Sequence, residues 1–291
     1  MNSEVQRPKV LNSEVLSIER QGHVATLWLD RAEARNAMGP DFWADLPVAM
    51  KELSDDGETR AVVIAARGPH FSVGLDLKAM ASLLLGGDDR GATEGERAHP
   101  SKAAQAVGAR GQVARMQASI SSVAECAKPV IAAVHGYCIG GGVDLITACD
   151  VRVASREATF SVREVKMAIV ADLGSLQRLP RIVGAGHVAE LAYTGKDITA
   201  ERAAQIGLVN EVLQSPEETL EYARTIAAQV ASNSPLAVQG TKAVLTAGDG
   251  QTVQEGLDFV AVWNSGFLQS DDLKEAVSAF LEKREPKFTG N

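Results

Sequence analysis

Three carboxylate side chains lie close together along this sequence, each beside apolar residues. Asp144 follows a run of three glycines at 140–142, Glu164 precedes an apolar stretch, and Asp172 stands directly before Leu173. A carboxylate that loses contact with water is harder to ionise, so its pKa rises toward neutrality, where the group can take up and release protons. We therefore expect these three acids to carry proton-transfer chemistry.

Two glycine loops are candidates for hydrogen-bond donors beside the acids. The glycines at 140–142 open a predicted helix over 141–148, so their N–H groups can face an anionic oxygen with the helix dipole behind them. A second loop around Gly74, residues 71–77, directly follows a predicted buried strand. One N–H from each loop is enough to hold a single oxyanion. A tight packing turn would show the same glycines, so the triplet alone assigns no function.

Length, charge and cysteine content restrict the class of protein. The chain has 291 residues and a formal net charge of -8, which argues against nucleic acid or an anionic membrane as its main partner. No apolar run approaches the roughly 20 residues that cross a bilayer. Cys126, Cys138 and Cys149 are too few for a disulfide framework, and their apolar neighbours predict reduced, buried thiols and a cytoplasmic location.

The predicted elements place the acids in an α/β fold. Residues 15–20 and 23–29 predict a β-hairpin, and 60–66 is a continuous apolar run typical of a strand that is covered on both faces. Further strands are predicted at 129–134 and 150–154, and a helix at 40–53. From residue 173 onward the chain becomes mostly helical, with helices predicted near 173–183, 187–193, 200–206, 216–231, 235–246, 252–264 and 271–283. Thr199 and Ser215 are predicted N-caps, and Gly207 a C-cap.

The composition also predicts how the chain is divided. Residues 1–12 read as a flexible tail, 13–205 as the β/α core, and 206–291 as a helical C-terminal region. The stretch 86–111 is rich in glycine, alanine and charge, and predicts a mobile surface insertion, with a helix following it to about Cys126.

Taken together, these motifs resemble the crotonase superfamily, which has the enoyl-CoA hydratase and isomerase fold. The resemblance covers nearly the whole chain, in the segments 31–38, 71–78, 135–150, 177–180, 203–209 and 280–284. It implies a spiral of ββα units with a helical C-terminal trimerisation region, assembled as a homotrimer or a dimer of trimers. It also implies an acyl-CoA thioester substrate, with no metal or redox cofactor because the CoA belongs to the substrate.

The same resemblance implies roles for residues outside the acid cluster. The thioester oxygen would be held by the backbone N–H groups of Leu75 and Gly141, and the loss of one such donor typically costs about 3 kcal/mol. Basic residues would reach the CoA phosphates or the adenine, and Phe280 with Lys283 would close the acyl pocket. The basic candidates are Arg35, Lys78 and Lys283, for which solvated surface charge is the competing interpretation.

The acids separate this chain from the hydratases of that superfamily. Hydratases carry two glutamates at the positions of Asp144 and Glu164, and a small turn where this chain has Asp172. The pattern of three acids is similar to that of dienoyl-CoA isomerases, which move two double bonds from positions 3,5 to 2,4. Proton removal at C2 is then assigned to Glu164 and delivery at C6 to Asp172, with Asp144 tuning Glu164. The exchange of roles between Glu164 and Asp172 stays open.

Simpler interpretations compete with each assignment. Asp144 can brace a helix, Asp172 can be the N-cap of the helix that follows it, and Glu164 can be a surface residue. His135 is interpreted as a hydrogen-bonded core histidine. For the whole chain, the rival functions are a 2-enoyl-CoA hydratase or another enoyl-CoA isomerase of the crotonase type and, from another class, a non-catalytic acyl-CoA binding protein.

Overall fold

The chain folds into two sheets surrounded by helices. The computed structural model describes residues 13–81 and 101–291. In these ranges the strands are β1 (Leu16–Gln21), β2 (Val24–Leu29), β3 (Ala61–Ala66), β4 (Val130–Val134), β5 (Tyr137–Ile139), β6 (Val151–Ser155), β7 (Thr159–Ser161), β8 (Ile198–Thr199) and β9 (Glu211–Leu213). The helices are α1 (Pro40–Asp55), α2 (Lys102–Ala124), α3 (Gly141–Thr147), α4 (Ser175–Ile182), α5 (Ala185–Thr194), α6 (Ala200–Gln205), α7 (Pro216–Ala231), α8 (Pro235–Ala247), α9 (Val253–Phe267) and α10 (Asp271–Glu282).

The main sheet has six strands in the order β1-β2-β3-β4-β6-β9. β1 and β2 form the predicted antiparallel hairpin, and every later pair is parallel. All residues of β2, β3 and β4 are buried, as expected for apolar runs that are covered on both faces. Parallel strands bring their carboxyl ends to one edge. The loop that follows β3 carries one glycine motif, and β5, the strand after β4, leads into the other.

A smaller sheet, in the order β5-β7-β8, was not predicted from the sequence. Its strands have two or three residues each, too few to show an alternating pattern. β5 lies directly before the glycine triplet and β7 directly before the segment that carries Glu164. The parallel pairing of β5 with β7 therefore brings these two segments together.

The predicted helices of the C-terminal third are confirmed to within a few residues. Thr199 and Ser215 accept hydrogen bonds from the N–H groups of Arg202 and Glu218, so both N-caps are confirmed. Gly207 follows α6 with a φ of 82°, as its predicted role in helix termination requires.

The prediction of a mobile insertion over 86–111 is wrong for its last ten residues. Helix α2 begins at Lys102 rather than after 111, and the Ser101 hydroxyl accepts the Ala104 N–H at 3.2 Å as its N-cap. The residues of the first part of this helix are exposed, so no apolar stripe marks them in the sequence. The remainder, 86–100, and the predicted tail 1–12 lie outside the described residues.

Helix α7 covers one face of the main sheet. Its residues Ala223, Ala227 and Ala231 are buried against Val24 and Trp28 and against apolar residues of β3, β4 and β6. The opposite face forms the larger core with α1 and the helices that follow the sheet. The division of the chain at 205/206 stays a prediction. No helix among the described residues has the length and apolar character that a bilayer crossing requires.

Candidate active site

The two glycine loops meet at the edge of the main sheet. Ser72 donates its N–H to the Tyr137 carbonyl at 2.9 Å, and Ile139 donates to the Ser72 carbonyl at 3.0 Å. A parallel bridge also joins Met38 to Leu75. The loop after β3 is therefore hydrogen-bonded to the strand that leads into the glycine triplet.

Gly74 allows this close approach. Its φ of 81° lies in the left-handed region, and a Cβ at this position would lie 2.7 Å from the Ile139 carbonyl oxygen and 3.1 Å from the Gly141 nitrogen. No L-residue with a side chain fits here without moving one of the two backbones. The glycine is required because two main chains pass against each other.

Leu75 and Gly141 present neighbouring backbone donors. A Cβ on Gly141 would lie 3.9 Å from the Leu75 nitrogen, so the two N–H groups belong to the same small region. Within the described residues, neither N–H donates a hydrogen bond to the protein. Gly141 is also the first residue of α3, where the helix dipole favours negative charge. This arrangement can hold one developing oxyanion.

Glu164 lies beside the glycine triplet. It begins a short 3-10 helix, Glu164–Met167, just after β7, and its carboxylate atom Oε1 lies 3.4 Å from the place of a Cβ on Gly140. Its other oxygen, Oε2, is buried and has no hydrogen-bond partner among the described residues. Glu164 is therefore not a plain surface residue, because one carboxylate oxygen faces the interior unpaired.

Asp144 is buried on α3 and contacts the start of α4. Its Oδ1 accepts the N–H of Ser175 at 2.6 Å, so the side chain does brace the following helix, as the simpler interpretation proposed. Asp144 can brace this helix and also raise the pKa of Glu164, since the hydrogen bond to Ser175 uses only one of its two carboxylate oxygens. It also ties α3 to the chain segment directly after Asp172.

Asp172 lies on an irregular segment between two buried apolar residues. Ala171 and Leu173 are buried, while Asp172 is half-buried between them. The following helix begins at Ser175 with Gly174 as its N-cap residue, so the interpretation of Asp172 as a helix cap is wrong. The carboxylate is left available for another role.

All three carboxyl groups have raised pKa values, as the sequence predicts. Burial raises the pKa of Glu164 to about 7, and the charges of Asp144 and Asp172 contribute to the increase. Burial likewise raises the pKa of Asp144 to about 6, against the lowering effect of the Ser175 hydrogen bond. Burial also raises the pKa of Asp172. Three acids that resist ionising together can hold and pass a proton near neutral pH.

The raised pKa of Glu164 predicts a pH-dependent stability. From pH 4.5 to about 7 the unfolded chain releases this proton while the folded chain retains it, so the free energy of unfolding falls as pH rises through this window. Glu164→Gln removes the titration, and should raise stability by about 1 to 2 kcal/mol above pH 7 and by little at pH 4. Urea unfolding of both proteins from pH 4 to 8 measures the difference. A difference that is constant over this range would contradict the assignment.

The remaining predicted ligand-binding residues lie in two places. Arg35 accepts the Val73 N–H on its carbonyl at 3.2 Å, and Lys78 follows the same loop, so both exposed side chains lie on the chain segments beside the candidate oxyanion site. Phe280 and Lys283 are exposed at the end of α10. No hydrogen bond or ion pair in the described part of the chain joins these two to the acids, and their roles stay predictions.

The structure also tests the prediction for His135 and reveals polar contacts that the sequence did not predict. The His135 ring forms the predicted hydrogen bond, 2.8 Å from the Gly68 carbonyl, but the residue is half-buried and is not part of the core. Residues 13–81 and 101–291 contain no group of three or more His, Cys, Asp and Glu side chains arranged to hold a metal ion. Sequence reasoning missed Gln117, whose Nε2 donates to the Asp172 carbonyl at 2.6 Å, and Arg178, whose charge acts on Asp144.

Comparisons with known proteins agree with this geometry. The family model described as Enoyl-CoA hydratase/isomerase matches residues 19–291. The chain is 43% identical to an Arabidopsis thaliana protein named Delta(3,5)-Delta(2,4)-dienoyl-CoA isomerase, peroxisomal, over 94% of this chain and 96% of that protein. It is 41% identical to the mitochondrial protein of the same name from Dictyostelium discoideum, over 97% and 94%.

A solved structure supports the same conclusion for the fold. The structure of an enoyl-CoA hydratase from Bacillus anthracis superimposes with a TM-score of 0.83 at 30% identity, and the match covers 95% of this chain and all of that one. The predicted crotonase-like α/β fold is thereby confirmed. This chain belongs to the enoyl-CoA hydratase/isomerase family.

Proposed function

We propose that this chain isomerises 3,5-dienoyl-CoA thioesters to 2,4-dienoyl-CoA. The observation that carries the proposal is the third carboxylate. Burial raises the pKa of Glu164 and of Asp144, and the charge of Asp172 raises both further, so the three acids form one electrostatic group. Relatives that share 41–43% of their residues with this chain over nearly its whole length bear the name of this activity.

The reaction requires two proton transfers at separate points of one acyl chain. The N–H groups of Leu75 and Gly141 would bind the thioester oxygen, which makes the C2 protons acidic. The Glu164 carboxylate takes a proton from C2, and the electrons of the broken C–H bond spread over the conjugated system to the oxygen. Asp172 then gives its proton to C6, and the new bonds lie at positions 2 and 4. Proton return from Glu164 to Asp172 through solvent restores the enzyme.

The acids can also be assigned in the opposite order. In that case Asp172 removes the proton at C2 and Glu164 delivers one at C6. The position of Glu164 beside Gly140, next to the two N–H donors, supports its assignment to the C2 side, which is adjacent to the thioester carbonyl.

A hydratase activity on 2-enoyl-CoA is the second candidate. It is favoured by the presence of carboxylates at both positions used by hydratases, Asp144 and Glu164, and by the raised pKa that burial gives to each of them. Asp172 has no part in such a reaction. A non-catalytic acyl-CoA binder, the third possibility, requires neither an unpaired buried carboxylate oxygen, such as Oε2 of Glu164, nor three acids that raise one another's pKa.

Two thioesters and one substitution separate these functions. Wild type should convert 3,5-dienoyl-CoA to a product with the absorbance of a conjugated 2,4-diene. Asp172→Asn should slow this reaction about a hundredfold, less than loss of the base, because water can deliver the proton at C6 in its place. Hydration of 2-enoyl-CoA should be slower than isomerisation in wild type and unaffected by the substitution.

Two outcomes would reject the proposal. The first is hydration as the main activity, with Asp172→Asn leaving isomerisation unchanged. The second is tight binding of the thioester with no uptake of deuterium at C2 from heavy water, which would favour the non-catalytic binder.

The same proposal includes the oligomeric state of the protein, its cellular location and its cofactor requirement. We propose a homotrimer or a dimer of trimers, supported by the exposed apolar side chains of α9 and α10, among them Val262, Phe280 and Leu281. A cytoplasmic location is supported by three free, buried cysteines. No cofactor is proposed besides the CoA of the substrate, because the reaction transfers protons only.

A further inference from the structure

Asp172 depends on side chains from other elements for its position. Residues 170–173 belong to no helix or strand, and within the described ranges they take part in no backbone-to-backbone hydrogen bond. Burial of Ala171 and Leu173 keeps the segment against the core. A proton donor must nevertheless be held within about 0.5 Å of its reacting geometry, which requires fixed contacts.

Gln117 and Arg178 provide such contacts. Gln117 donates from Nε2 to the Asp172 carbonyl at 2.6 Å, across 55 positions of sequence. Arg178 donates to the Leu173 carbonyl at 3.4 Å and to the Ser121 hydroxyl at 2.9 Å. Gln117 and Ser121 lie four residues apart on α2, hence on one face of it. Both contacts therefore fasten the segment to the same helix face.

Arg178 and Gln117 differ in the number of other contacts that each side chain makes. Arg178 is half-buried, its charge acts on Asp144, and it occupies the space beside Gly174, where a Cβ would lie 1.9 Å from its Nη1 atom. A change at Arg178 would thus disturb two acids and a turn. Gln117 is exposed, and its side chain forms one hydrogen bond within the described residues, to Asp172.

We propose that Gln117 is a positioning residue for Asp172, which holds the acid that serves C6 by fastening its backbone carbonyl to α2. The inference rests on the proposed function, because it takes delivery at C6 as the role of Asp172. Glu164 is held separately, by the Ile169 N–H on its carbonyl at 3.1 Å and by an ion pair between Arg163 and Asp197. Loss of the Gln117 contact should therefore slow delivery at C6 and spare removal at C2.

This separation has a measurable consequence in heavy water. When delivery at C6 fails, Glu164 exchanges the proton that it took from C2 for a deuteron of the solvent. It then returns this deuteron to C2 of the enolate, so that the broken C–H bond is replaced by C–D in recovered substrate. The amount of deuterium at C2 measures proton removal, whereas the amount of 2,4-diene measures proton delivery at C6. The ratio of exchange to product isolates the second step.

Gln117→Met keeps the length of the side chain and removes its donor. The expected result is a fall in product formation of about tenfold, a similar rise in the ratio of exchange to product, and a KM within about twofold of wild type. Gln117→Lys supplies an N–H donor again and should recover most of the lost rate. Gln112→Met, an exposed change on the same helix, is the matched control and should behave as wild type.

Three results would overturn the inference. If Gln117→Met leaves both rates unchanged, the contact does not position Asp172. If exchange and product fall together with an unchanged ratio, the contact supports the fold in general. If wild type itself forms no 2,4-diene from the 3,5-dienoyl thioester, the proposed function fails, and the role of Gln117 in it fails at the same time.

Discussion

Glu164→Gln should reduce the isomerisation of a 3,5-dienoyl thioester by about a thousandfold in kcat, with KM changed by about twofold or less. Glutamine has nearly the same size and shape but cannot accept the proton from C2 at neutral pH. Because Glu164 is assigned to proton removal, deuterium uptake at C2 should be lost together with the product. The measurements are the rise in diene absorbance and mass analysis of recovered substrate.

The exchange measurement also decides between the two orders of the acids. If Glu164→Gln retains deuterium uptake at C2 but forms no product, Asp172 is the base and Glu164 the acid for C6. If both rates are retained, Glu164 has no part in the reaction. Glu221→Gln, an exposed change on α7, is the matched control and should alter neither rate.

The activity loss and the expected stability gain of this variant have one physical cause. A buried carboxylate whose pKa is raised to about 7 destabilises the fold when it ionises, and the same burial makes it a useful base near neutrality. A substitution that removes the charge relieves the fold and removes the base. An inactive but more stable Glu164→Gln protein is the result expected for a catalytic group rather than a structural one.

Local signals explain what could be predicted about the fold from the sequence. The hairpin at β1 and β2, the buried strands β3 and β4, and the caps Thr199 and Ser215 depend on residues within a few positions of one another. Hydrophobic period, turn residues and capping side chains report directly on such structure. The three acids and the two glycine loops are predictable for the same reason, because residue type and spacing are local features of the sequence.

What could not be predicted depends on contacts between distant parts of the chain. The strands β5, β7 and β8 are too short to show a period, and they exist because of their partners in the small sheet. The start of α2 has no apolar stripe, and Gly108 and Gly111 within it favour a loop when only the sequence is considered. Gln117 lies in the part of α2 that the sequence does predict, but its contact with Asp172 joins residues 55 positions apart, and no local pattern reports such a contact.

Gly74→Ala should reduce turnover by about 10² to 10³-fold, the loss expected when one oxyanion donor is displaced. The added methyl group would meet the Ile139 carbonyl at 2.7 Å and the Gly141 nitrogen at 3.1 Å, and both neighbours belong to the backbone. The two loops must therefore separate, and the N–H groups of Leu75 and Gly141 no longer converge on one oxygen. Steady-state kinetics with 3,5-dienoyl-CoA measures the effect. We expect kcat/KM to decrease because the stabilisation of the enolate is lost.

Gly22→Ala separates this effect from the general cost of a strained glycine site. Gly22 has a φ of 56°, and an added Cβ there meets no atom within 4 Å. Alanine at this position should therefore lower the free energy of unfolding by about 1 kcal/mol through its backbone conformation alone, without a clash. It should lose stability and keep its kcat. Comparable losses of activity in both variants would mean that backbone strain, rather than the meeting of the two loops, explains the Gly74 result. A fully active Gly74→Ala protein would exclude Leu75 and Gly141 as the pair that holds the thioester oxygen.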